Sequence, residues 1–109
     1  EGPLKAAYIG ASNDDKPEYY DIFLAAMSQA GISEDQCQLI RSKKTRKKDL
    51  KFLEEAHLIL LAGGDTEKGW NIIQEKFQQI LYQQHSLNVF YPYLTFLKFL
   101  YKVFQIFFH

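Results

Sequence analysis

His57-Leu58-Ile59-Leu60-Leu61-Ala62-Gly63-Gly64-Asp65-Thr66 is the stretch that decides the fold. Its first half is an unbroken apolar run of strand length, which a central strand covered on both faces requires. Gly63-Gly64 ends the run in a turn, and Asp65 or Thr66 can cap a helix there. Helical spacing follows over Thr66–Gln84, with Trp70, Ile73, Phe77, Ile80 and Leu81 on one face.

The residues before this stretch repeat the pattern. Leu4–Ile9 is short, mostly apolar and runs into Gly10, so it reads as a buried strand. Ser12, Asn13, Asp14 and Asp15 form a polar turn, and Pro17 suits the first turn of a helix. Tyr19, Ile22, Phe23, Ala26, Met27 and Ala30 recur at helical spacing up to Gly31, a natural stop. Gln36–Ile40 is a second strand, in which Cys37 reads as a small buried hydrophobe. Asp49–Ala56 is a short helix with Leu50, Leu53 and Phe52 inward. Three strands alternating with three helices predict an α/β fold built on a partial, doubly wound parallel sheet. A fourth strand is due after Gln84, and none follows.

Residues 86–109 form an atypical hydrophobic tail instead. Nine aromatic residues fall there, with Lys98 and Lys102 as its only charges. Asn88, Pro92, Thr95, Lys98, Lys102, Gln105 and His109 recur every three or four positions, which predicts a helix with a narrow polar stripe. A membrane-spanning role conflicts with the two lysines, each costing about 2.5–3.5 kcal/mol near the middle of a span. The tail fits a helix packed on protein or at a membrane surface, or an out-of-frame product of an A/T-rich gene, against which the helical stripe speaks.

Composition narrows the function. The 109 residues carry 13 basic and 13 acidic side chains, so no net positive field draws nucleic acid to the chain. Arg41, Lys43, Lys44, Arg46, Lys47 and Lys48 form a basic run without interleaved aromatics, which reads as a solvated connection. The one cysteine, Cys37, allows no internal disulfide and fits a reducing compartment such as the cytoplasm. His57, His85 and His109 have no metal-ligand spacing. There is no dinucleotide fingerprint, no P-loop and no G-x-S-x-G elbow, so neither a metal nor a cofactor is expected. The chain opens on Glu1 without a charged-then-apolar leader, and reads as processed or as part of something longer.

Two loops at strand ends are candidate substrate-side positions: Ser12, Asn13 and Asp14 after the first strand, and Asp65 and Thr66 after the third. A polar turn with a capping residue is the simpler reading of each. Ala7-Tyr8-Ile9-Gly10-Ala11-Ser12-Asn13, Pro17-Glu18-Tyr19-Tyr20 and Leu58 through Trp70, with its Gly63-Gly64-Asp65 turn, resemble the dipeptidase E/cyanophycinase-type serine peptidases of the class I glutamine amidotransferase-like superfamily. The resemblance implies that 1–85 is the amino-terminal half of such a domain. It also implies that Gly63 and Gly64 contribute an oxyanion-hole N–H, and that a small peptide or amide is the substrate of the intact parent. It further implies a Gly-x-Ser-Ala-Gly elbow soon after Leu81. Tyr82-Gln83-Gln84-His85 stands there instead, so no nucleophile, base or acid carries over and the chain is expected to be inactive. The alternative is a non-catalytic binding or assembly module whose tail covers a sheet edge or pairs with a second copy as a homo-oligomer.

Overall fold

The apolar run forms strand β3, Leu58–Ala62, in a computed structural model of the chain that describes residues 2–11, 14–41, 43, 45–84 and 102–106. Strand β1 is Ala6–Ile9, followed by helix α1, Pro17–Gln29. A 3-10 turn over Glu34–Gln36 leads into β2, Cys37–Ile40. Helix α2 is Lys47–Glu55, and helix α3 is Thr66–Gln84. Strand β4, Val103–Ile106, completes a four-stranded parallel sheet in the order β2-β1-β3-β4. The α/β architecture is the one that the strand–helix alternation implies.

Residue alternation along the central strands sets the two faces. Ala7, Ile9, Ile59 and Leu61 point to one side, where Leu50 and Leu53 of α2 and Ile72, Ile73, Phe77 and Ile80 of α3 cover them. Ala6, Tyr8, Leu60 and Ala62 point to the other, against Phe23 and Met27 of α1. The chain moves from β1 outward to β2, then back across to β3 and on to β4. That reversal puts α1 on one face and α2 with α3 on the other, as crossovers of one hand require.

Three expectations change. The stripe of α1 that is buried or partly buried is Tyr19, Tyr20, Phe23, Leu24 and Met27, while Ile22 is 49% exposed. Tyr8 draws it round: its ring lies 5.4 Å from that of Tyr20 and 5.2 Å from that of Phe23. Trp70 of α3 is 44% exposed, and Ile72 joins Ile73 in the core. Cys37 is only partly buried, on an edge strand.

The tail needs a further correction. Its described part, Val103–Ile106, is a strand and not a helix. The open edge of β3 explains this, because an unpaired edge leaves buried N–H and C=O groups without partners. Ile59 of β3 donates its N–H to the carbonyl of Lys102 at 2.7 Å, and Lys102 Nζ donates to the carbonyl of Glu54 at 2.8 Å. A three-to-four spacing cannot tell helix from strand over only four residues. The rest of the tail lies outside the described residues. Among the described residues, no helix is long and apolar enough to cross a membrane.

Candidate ligand cleft at the carboxyl ends of the strands

The order β2-β1-β3-β4 reverses direction at β1, and open parallel sheets place ligands at the carboxyl ends of strands beside such a reversal. A cleft of about 850 Å³ lies there. Ala11, Asp14 and Asp15 after β1, Leu39 and Arg41 at the end of β2, Lys43 beyond it, and Lys68, Asn71 and Glu75 on α3 form most of its wall.

The loop after β1 folds tightly. Asp14 N–H donates to the carbonyl of Ala11 at 3.2 Å, and Asp15 N–H to that of Gly10 at 2.8 Å. Asp14 and Asp15 both sit in the left-handed region, at φ 62° and 56°. Aspartate is among the few residues besides glycine that visit this region readily. The two turned residues bring the chain to Pro17, which opens α1 without a side-chain cap at Lys16.

Asp14 is the candidate that the fold brings to the cleft. Lys68 Nζ donates to its Oδ1 at 2.9 Å, which ties the β1 loop to the first turn of α3. The hydrogen bond and charge of Lys68 hold the Asp14 carboxyl below its usual range, and the same pair raises the Lys68 ammonium. Asp65 takes the capping role: its Oδ1 accepts the N–H of Lys68 at 3.0 Å, and its carbonyl accepts that of Gly69 at 3.0 Å. It does not line the cleft. Thr66 opens α3. Gly63 is buried, and Gly64 takes φ 139°, a conformation that favours glycine. Neither glycine lines the cleft. Ser12 and Asn13 lie outside the described residues.

Other groups reach the wall from a stretch that reads as a solvated connection. Arg41 and Lys43 belong to the basic run, and Arg46, Asp49 and Lys76 hold it in place. Asp49 is 2% exposed. It accepts from Arg46 N–H, Nε and Nη2 at 3.0, 3.1 and 3.0 Å, and from Gln38 Nε2 of β2. Burial pushes the Asp49 carboxyl up, but the bonds from Arg46 and Gln38 outweigh it and hold the group below its ordinary range. The sequence signal was present: Arg46 and Asp49 stand three residues apart at the start of a helix, the spacing of a capping pair.

The described lining contains carboxylates and cations but no serine, threonine, cysteine or histidine. His57 lies at the amino end of β3, away from the cleft, where its Nδ1 accepts the N–H of Lys5 at 3.0 Å. Among the described residues, no cluster of three histidine, cysteine or acidic side chains could hold a metal ion. Compared with family profiles, curated proteins and solved structures, the chain matches none.

Proposed function

We propose that the chain is a non-hydrolytic, ligand-binding α/β unit of serine-peptidase or amidotransferase-like design. Its cleft receives a small charged peptide or amide. One observation supports this reading above the others: the cleft presents acidic and basic side chains from three elements but no described serine, threonine or cysteine. A short peptide carries both an ammonium and a carboxylate, and a mixed wall complements both. The resemblance of Gly63-Gly64-Asp65 to an oxyanion turn supplies the peptidase ancestry. The strand that follows α3 and pairs with β3 is Val103–Ile106, and Ser86, the one serine after Leu81, stands in no Gly-x-Ser-x-Gly elbow. An oxyanion hole without an attacking serine has no tetrahedral intermediate to stabilise. A cytoplasmic setting fits the single cysteine.

The test is incubation of the purified chain with an aspartyl dipeptide. Released amino groups report cleavage, and calorimetry of the same pair reports binding. Saturable binding without cleavage is expected. Turnover at a rate proportional to protein concentration would overturn the non-hydrolytic reading, and absence of binding would remove the ligand.

Self-association remains the second reading because β2 is an edge strand. That edge is four residues long and runs into the basic stretch, two features that blunt strand pairing. Light scattering on a size-exclusion column is therefore expected to give a monomer, and a discrete dimer would favour the assembly module.

A further inference from the structure

The basic connection between β2 and α2 is anchored, although its composition suggests a freely solvated segment. Thr45 Oγ1 donates to the carbonyl of Arg41 at 3.1 Å and accepts from Lys76 Nζ. Lys76 has no exposed surface, so the anchor is rooted inside the protein. Downstream, Arg46 grips the buried Asp49, which Gln38 of β2 also holds. Arg41 and Lys43 lie ahead of that grip, and both line the cleft.

Three acids and three cations line the cleft, but they are not all paired with one another. Asp14 is paired with Lys68 at 2.9 Å, and Glu75 meets Lys76 at 3.4 Å. Among the described residues, Arg41 and Lys43 enter no ion pair. Two cations without an acid partner stand on one anchored connection, at the end of the sheet where α1 and α3 also begin. Arg41 offers a planar fork of donors and Lys43 a compact charge. One carboxylate would leave a charge unmatched, whereas a tetrahedral dianion satisfies both.

We infer that Arg41 and Lys43 form an anion subsite of the cleft, and that the group it receives is a phosphate-type dianion carried by a small molecule. The subsite shares the cleft with the peptide reading but stands on the basic connection alone. The acids Asp15 and Glu75 on the same wall would repel an extended polyanion, which favours a small phosphorylated molecule over a nucleic-acid strand.

The experiment is titration of the ¹⁵N-labelled chain with inorganic phosphate, with sodium chloride as the ionic-strength control. Saturable amide shifts near Asp14, Arg41 and Lys68 are expected with phosphate and not with chloride. The double variant Arg41→Gln/Lys43→Gln should weaken binding by at least about tenfold. The variant Lys47→Gln/Lys48→Gln, which changes exposed lysines outside the cleft, should change it by less than about twofold. The single variants Arg41→Gln and Lys43→Gln keep the test open if the double variant does not fold. No saturable shift, or equal weakening in both double variants, would overturn the subsite. Phosphate binding without dipeptide binding removes the peptide reading and keeps the subsite, and the reverse removes the subsite alone.

Discussion

Lys68 Nζ lies 2.9 Å from Asp14 Oδ1, and this contact joins the loop after β1 to the first turn of α3 across 54 positions of sequence. Both partners are exposed, so the pair fixes geometry more than it adds stability. It holds the two loops beside the sheet reversal in one arrangement.

The pair has a pH signature. Asp14 is held below its ordinary value of 3.8, so its contribution is fully present above that value and is lost as pH falls through the lowered one. Carboxyl-detected NMR titration should find Asp14 titrating later on acidification than an ordinary aspartate. In Lys68→Gln the Asp14 titration should return toward 3.8.

Asp49 carries more stability because it is buried and accepts bonds from two elements. Asp49→Ala leaves Arg46 N–H and Gln38 Nε2 without their acceptor. The expected cost is about 1–3 kcal/mol, read as a lower urea midpoint at unchanged slope. Because its carboxyl is held low, the wild-type contribution is present above 3.8 and lost as pH falls through the lowered value.

The two sides of α1 should respond differently to truncation. Phe23 is 2% exposed and stacks at 5.7 Å on Tyr20, so Phe23→Ala is expected to cost about 3–5 kcal/mol. Ile22→Ala, on the exposed side, should stay within about 0.5 kcal/mol of wild type. Chemical denaturation of the two variants checks the direction in which the helix faces.

Tyr20 and Cys37 share the edge where α1 meets β2. Burial is the main cause that pushes the Tyr20 phenol up to about 12, with smaller contributions from Cys37 and Glu34. Stability linked to Tyr20 is fully present below its ordinary value of 10.0 and is lost as pH rises through about 12. Ultraviolet titration should show a late phenolate that Tyr20→Phe removes. Burial, then the charges of Asp35 and Glu34, raise the Cys37 thiol, so it should react with a disulfide reagent more slowly than free cysteine at neutral pH.

The strand–helix alternation was legible because each element has its own period or punctuation. The apolar run at Leu58–Leu61, the glycines after it and Pro17 gave the class and most boundaries within two residues. The rotation of α1 was not legible, because Ile22 and Phe23 are both apolar and only the Tyr8 ring, which comes from another element, selects between them. Val103–Ile106 was hidden inside a longer helical period, since pairing with β3 is a long-range interaction. Asp14 could be seen as a strand-end loop residue. Arg41 and Lys43 read as solvated in sequence because the run has no interleaved aromatic and lies in a connection. Their anchors, Lys76 and Asp49, lie 31 and 3 positions from their partners Thr45 and Arg46. A buried lysine on a helix shows no sequence pattern that separates it from an exposed one.

The measurement that bears most directly on the central claim is amide chemical-shift mapping with an aspartyl dipeptide, with the dipeptide's own signals followed in the same tube. Saturable shifts that cluster at Ala11, Asp14, Arg41, Lys68 and Asn71, and an intact dipeptide at the end, are the expected result. Shifts that gather elsewhere would contradict it, as would disappearance of the dipeptide in favour of its free amino acids.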